Sequence, residues 1–181
     1  MNLFAKNRRQ TRVRRTPVWL RIASVPVIIF VFLWIMHFLV FDVRPVQGES
    51  MDPTLHEGEW VLISKLTYAL REPRYGELAV CTPAASSDAW IKRIVGLPGD
   101  VLRAENGQLY RNGETVYEPY LSEDTPAFSA IKSWQDQYLL LGDHRGDSSD
   151  SRMPLVGAIP REQLRGRALL VIWPPEAWRF L

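Results

Sequence analysis

Cysteine is nearly absent from this chain. A single thiol, Cys81, among 181 residues excludes an internal disulfide framework and any zinc site built from several thiolates. Because it lies in the strand-like run Leu78-Ala79-Val80-Cys81, it reads as a small buried hydrophobe. No internal repeat and no low-complexity linker occurs, and past the first forty or so residues no long stretch carries helical periodicity. Acidic residues are missing altogether from residues 1 to 41, which carry Lys6, Arg8, Arg9, Arg12, Arg14, Arg15 and Arg21. That leaves 15 Lys plus Arg against all 20 acids in the remainder, so a net charge of +2 conceals a basic tail ahead of a mildly acidic domain. A hydrophobic content of 46% excludes a disordered chain, and 20.8 kDa suffices for one domain with a short appendage.

From Ile22 to Phe41 the sequence is apolar, with His37 its one ionisable side chain. Twenty such residues match a hydrocarbon core of roughly 30 Å and predict a transmembrane helix. Pro26 falls near its start, where a missing amide hydrogen costs least. The stretch is longer than a secretory signal's apolar region, and Asp42-Val43-Arg44-Pro45 offers no small-x-small cleavage site, so the segment is expected to stay attached. With cations before the helix and an acid after it, the positive-inside tendency places residues 1–20 in the cytoplasm as a basic tail, 21–42 in the cell membrane as a single-pass anchor, and 43–181 outside the cytoplasm. The cation-rich tail then serves topology, and no nucleic-acid partner is expected.

Beyond the anchor, short β-rich runs recur at 43–47, 59–65, 77–82, 89–96, 100–104, 108–111, 114–117, 137–142 and 166–173. They predict a mostly β, antiparallel domain. Asn106-Gly107 and Asn112-Gly113 supply the positive φ angles of tight hairpins, so residues 100–118 should form a meander. Pro119, Pro126 and neighbouring Ser and Asp residues predict a surface insertion with little regular structure over 118–135. The continuously apolar run from Ala168 to Trp173 predicts a buried strand, followed by Trp178 and Phe180 as exposed aromatics that suit either a lipid interface or ordinary packing.

Three segments interleave loop-forming residues with reactive ones: GESMDPTL at 48–55, KRIVGLPGD at 92–100 and GDHRGDSSDSR at 142–152. Ser50, between Gly48 and Pro53, is by itself an ordinary turn serine. To become a nucleophile it needs a base, for which His56, His144 and a neutral lysine are available. Strand alternation puts Lys92 on one face with Trp90 and Ile94, and Ile91 with Arg93 on the other. On such a face the ammonium is desolvated and the pKa falls, as a lysine base requires, although a lone lysine can equally snorkel to solvent.

The three segments, in this order behind one amino-terminal anchor, resemble the sequence boxes of type I signal peptidases, the Ser/Lys proteases that remove secretory signal peptides, in their compact form. Ser50-Met51-x-Pro53-Thr54-Leu55 resembles the nucleophile box, and Lys92-Arg93-Ile94-x-Gly96-x-Pro98-Gly99-Asp100 the lysine box. Gly142-Asp143-x-Arg145 with Ser148-x-Asp150-Ser151-Arg152 resembles the third. The resemblance implies a β-rich signal-peptidase fold, Ser50 as nucleophile, Lys92 as general base and an acyl-enzyme, with no cofactor or metal. It further implies that Ser148 orients the lysine amine, that Asp143, Arg145, Asp150 and Arg152 hold the loops, and that Met51 shapes the substrate pockets. The implied partners are preprotein signal peptides with small residues at the first and third positions before the cut, and the lipid bilayer.

The chain departs from one version of this pattern at Gly48, where some members carry a serine whose hydroxyl serves the oxyanion hole. The Ser50 amide then stands without an identified second donor. It departs again at His144, often Asn in the family, which invites a Ser-His alternative that the resemblance disfavours. Other readings are a relative dedicated to one cargo, an inactive tethered binding module, and a self-cleaving repressor. The anchor and the lack of a basic DNA-reading domain weigh against the last.

Overall fold

The structure, a computed structural model, describes residues 18–35 and 39–181. Helix α1 (Val18–Ile35) contains Pro26, and its side chains from Ala23 to Ile35 are exposed. Among the described residues no helix is long and apolar enough to cross a membrane. The expected basic tail up to residue 17, and residues 36–38 of the expected anchor with His37, lie outside the described residues.

Residues 39–181 fold as an antiparallel β domain. One sheet runs in the order β1 (Phe41–Pro45), β2 (Trp60–Ser64), β11 (Leu164–Trp173), β3 (Leu78–Cys81), β4 (Trp90–Gly96), β9 (Gln137–Leu141), β10 (Ile159–Pro160), with β12 (Arg179–Phe180) also paired to β11. A second sheet runs β7 (Glu114–Thr115), β6 (Gln108–Arg111), β5 (Val101–Glu105), β8 (Phe128–Lys132). A single-turn helix, α2 (Thr67–Leu70), follows β2.

The strands form where alternation lets each face find a core. On β3, Leu78 and Val80 pack with Val61, Ile63 and Met51, while Ala79 and Cys81 pack with Ile94, Tyr138 and Leu140. On β9 the alternate residues Leu139 and Leu141 turn to a third cluster with Val95, Leu102 and Leu109, which joins the two sheets. Cys81 is buried, as its neighbours suggested, and burial pushes its thiol up to about 12. The meander at 101–115 matches its sequence reading: Asn106, Gly107, Asn112 and Gly113 all have positive φ, which the two tight turns demand.

Three expectations need correction. The segment 118–135 is not without regular structure, because residues 128–132 form β8 against β5. Leu102 faces Ile131 and Ala104 faces Phe128, so two residues of β8 oppose Arg103 alone. This bulge spaces the two core-facing side chains by three and erases the alternation that marks a strand. The run 168–173 is not uniformly buried either. Ala168 and Val171 face the core, but Leu169, Leu170 and Ile172 are half-buried and Trp173 is 56% exposed, because β11 shifts register twice against β2. The first strand begins at Phe41, two residues earlier than its sequence run. Trp178 and Phe180 are exposed as expected.

Residues 118–125 carry no strand but are held by charge. Arg145, 1% exposed, directs both terminal nitrogens to the Glu118 carboxylate at 2.7 Å and bonds Thr125 Oγ1 at 2.8 Å. Breaking a buried pair from one side leaves the other charge uncompensated. Glu118→Ala should therefore cost about 3 kcal/mol of stability, read as a lower unfolding midpoint of the full chain in detergent. A shift no larger than that of Glu114→Ala, on the exposed β7, would show that Arg145 finds other partners.

Candidate active site

Ser50 sits in the loop between β1 and β2, whose ends are tied by Val46 N–H donating to Glu59 O at 2.7 Å and Gly58 N–H to Val46 O at 3.0 Å. Met51 and Leu55 anchor the loop by burial in the β2–β3–β11 core. From the far end of the chain, Arg179 bonds both Glu59 carboxylate oxygens and the Thr54 carbonyl, at 2.6 to 2.7 Å. Ser50 thus projects from a fixed turn. Its loop borders a cleft of about 440 Å³, lined also by Gly48, Met51, Trp90, Ile91 and Lys92.

Lys92 is central in β4, paired across the ladder with Ala79 and 4% exposed. Its Nζ lies 2.6 Å from Ser50 Oγ and 3.0 Å from Ser148 Oγ, and 5.9 Å from the centre of the Trp90 ring. Burial dominates its electrostatics. The negative charge of Asp150 works in the opposite direction, and the pKa still falls to about 8.

The third segment follows β9 and supports both groups. Asp150 is buried and accepts from Gly142 N–H at 3.0 Å and from Arg152 Nε and Nη2 at 2.8 and 2.7 Å. Burial alone would raise its carboxyl pKa, but the Arg152 bonds and charge, with Gly142 N–H and Ser148, hold it below the ordinary range. Arg152 Nη1 also donates to Arg145 O at 2.6 Å, and Arg145 Nε to Gly142 O at 2.9 Å. Asp143, fully buried, takes a two-nitrogen grip from Arg93 at 2.9 and 2.6 Å and a bond from Thr54 Oγ1 at 2.5 Å. Arg93 in turn lies over the Tyr120 ring at 3.8 Å.

Ser50, Lys92 and Ser148 therefore meet within hydrogen-bonding distance, and Met51 lines their cleft. Asp143, Arg145, Asp150 and Arg152 lie behind them in the supporting loops. Gly48 has φ +74 and borders the cleft. His56 pairs with Asp52 at 2.6 Å and does not line the cleft. His144 touches the Ser50 loop through Glu49 and Ser50 carbonyls rather than through Ser50 Oγ. Among the described residues no group of three His, Cys, Asp or Glu side chains could hold a metal ion.

Sequence reasoning left four contributors without a role: Thr54, Arg93, Glu118 and Gly142. Thr54, Arg93 and Gly142 fall inside the three segments, so their place was marked but not their contacts. Glu118 lay in the stretch read as an open insertion, and nothing in its neighbours signals a buried guanidinium 27 residues on.

The model of the signal peptidase family, peptidase S26, matches residues 19–173. A probable signal peptidase I-2 of Synechocystis sp. is 38% identical over 164 residues, which is 86% of this chain and 74% of that protein. Signal peptidase I T of Bacillus subtilis is 32% identical over 180 residues, 93% of this chain and 92% of its own. A solved signal peptidase I from Enterococcus faecalis aligns at 24% identity and a TM-score of 0.49, covering 54% of this chain and 97% of that one. The sequence matches define a serine endopeptidase. The chain belongs to the signal peptidase family, peptidase S26, as a type I signal peptidase.

Gly142 is the tightest point of the site. A Cβ there would fall 2.1 Å from Ser148 Oγ and 2.4 Å from Ser50 O, inside both contacts. Gly142→Ala is expected to separate Ser148 from the Ser50 loop and lower kcat at least about 100-fold, as small displacements of reacting groups do. Peptide turnover beside a thermal melt checks this, and a variant within threefold of wild type would show that the loops yield without moving Ser50 from Lys92.

Proposed function

We propose that this peptidase removes signal peptides from translocated preproteins after small-x-small motifs, with Ser50 as nucleophile and Lys92 as general base. The observation that carries the reading is the buried Lys92 amine 2.6 Å from Ser50 Oγ, with its pKa lowered to about 8. An amine so placed can be neutral near working pH and has the hydroxyl proton within reach.

In this mechanism Ser50 Oγ attacks the scissile carbonyl while its proton passes to Lys92 Nζ. Charge builds on the carbonyl oxygen, where the Ser50 N–H can meet it. The Lys92 ammonium then gives its proton to the departing amine, which releases the mature protein and leaves an ester between Ser50 and the signal peptide. Neutral Lys92 next takes a proton from water as the water oxygen attacks the ester carbon, and the Lys92 ammonium returns that proton to Ser50 Oγ as the acyl–Oγ bond breaks, freeing the acid and restoring both groups. Ser148 Oγ, 3.0 Å from Nζ, fixes the direction of the amine lone pair through both steps. The Asp150–Arg152 and Asp143–Arg93 pairs hold the loops that bring these atoms together.

The cleft beside Ser50 has room for an extended stretch of substrate, with Met51 and Ile91 among its apolar walls. Its volume of about 440 Å³ suits a few small side chains. The run Ile22–Phe41, preceded by cations and followed by Asp42, supports residues 21–42 as a single membrane anchor with residues 1–20 cytoplasmic and residues 43–181 outside. Substrates emerging from translocation would then meet the cleft on that side.

Cleavage of a preprotein carrying an A-x-A site, followed in detergent with the full chain, tests the reading. Ser50→Ala and Lys92→Met should each abolish turnover while keeping the fold. Wild-type kcat/KM should rise as pH passes upward through about 8, since below it Lys92 holds a proton and cannot accept another. Turnover by Lys92→Met with a wild-type pH profile would remove Lys92 from the mechanism.

A further inference from the structure

Gly48 offers no side-chain donor to an oxyanion, so the Ser50 N–H stands out among the groups at the nucleophile. That N–H has no hydrogen-bond partner among the described residues. The carbonyl of the same peptide unit, Glu49 O, is by contrast bonded twice: Asp52 N–H donates to it at 2.9 Å and His144 Nδ1 lies at 3.2 Å. A carbonyl oxygen only accepts, so Nδ1 carries the hydrogen in this contact. The Glu49–Ser50 peptide is trans, which fixes its C=O and N–H in opposite directions. Holding the carbonyl toward the 142–152 loop therefore aims the Ser50 N–H away from that loop. Withdrawing electrons at the oxygen also makes the N–H a stronger donor, as in any chain of amide hydrogen bonds.

We infer that His144 is a positioning residue for the oxyanion hole, acting through the Glu49–Ser50 peptide to orient and strengthen the Ser50 N–H. The inference rests on Ser50 being the nucleophile. His144 is well placed for the task because its own main chain grips the next carbonyl as well, His144 N–H donating to Ser50 O at 3.1 Å. That second bond is made by the main chain and is available to every residue at 144 except proline. Substitution therefore isolates the imidazole contact without releasing the loop. The other ring nitrogen, Nε2, lies 3.8 Å from Glu123 Oε1, beyond hydrogen-bonding distance, while that same carboxylate accepts from Gly146 N–H at 2.7 Å.

The two nitrogens can be separated by amide substitutions. His144→Asn places an N–H where Nδ1 stands, whereas His144→Gln places one where Nε2 stands. We expect His144→Ala to lower kcat about tenfold with KM within about twofold, less than the loss of a whole oxyanion donor because the Ser50 N–H itself remains. Asn should restore kcat to within about threefold of wild type, and Gln should stay with Ala.

A substrate-like peptide aldehyde supplies a second readout. Ser50 Oγ adds to its carbonyl carbon, the hydroxyl proton goes to Lys92, and the carbonyl electron pair moves to the oxygen, leaving a hemiacetal anion in the hole. Its inhibition constant should weaken across the series in proportion to kcat, the behaviour of a transition-state mimic. Thermal melts accompany each variant, and if Ala fails to fold, the comparison of Asn with Gln decides. Equal rescue by Gln, a loss confined to KM, or an unchanged kcat in Ala would overturn the inference. Ser50→Ala serves as the control that keeps the failures apart. If it is inactive while the His144 series is flat, only the role of His144 falls; if it retains turnover, the nucleophile assignment falls and this inference with it.

Discussion

A lysine amine at 4% exposure has lost most of the water that makes an ammonium stable. Two outcomes are open to such a group: it gives up its proton, or the fold brings an anion close enough to keep it. At Lys92 the fold nearly supplies the second, since Asp150 is the largest influence acting to raise the pKa. That carboxylate, however, is already bonded by Arg152 and Gly142 N–H. With that carboxylate bonded elsewhere, burial prevails and the pKa of the amine falls to about 8. The arrangement of the third loop follows from this balance. Each arginine there binds an acid or a carbonyl, and Lys92 is left with two hydroxyls for company.

This division of charge also explains how long irregular segments hold an exact geometry. Over residues 116–127 and 142–158 no regular strand contributes. The Glu118–Arg145–Thr125 and Arg93–Asp143–Thr54 groups replace ladder hydrogen bonds with shorter, charge-assisted ones, and the Tyr120 ring spans the two through Arg93. Buried ionic groups contribute little net stability against apolar residues of equal volume, but they have fewer alternative arrangements. Here they surround the point where the Lys92 amine meets the Ser50 and Ser148 hydroxyls.

Much of this was legible in the sequence, for reasons that differ by element. The core strands β3, β4 and β9 declared themselves because their alternation or continuous apolarity reflects burial by neighbours on both sides. The hairpins at 106–107 and 112–113 were legible because Asn-Gly is the local solution to positive φ. Lys92 was legible as a candidate because Trp90 and Ile94 flank it at strand spacing, and its neighbours do face the same core. Strand β8 was not, since its bulge sets Phe128 and Ile131 three apart. Glu118 was not, because its partner is chosen by three-dimensional proximity that no local pattern encodes. Nor was the clash volume at Gly142, which depends on two loops meeting at one atom's width.

The grip of Arg179 on the Thr54 carbonyl and the Glu59 carboxylate spans 125 and 120 residues of chain. The turn that carries Ser50 is thus closed by a residue of β12, a strand that itself pairs with β11 of the large sheet. Wherever β12 is not seated against β11, the Ser50 loop lacks this fastening. The position of Ser50 is in this way tied to the docking of a strand remote from it in the chain, so that loosening β12 frees the turn at the cleft.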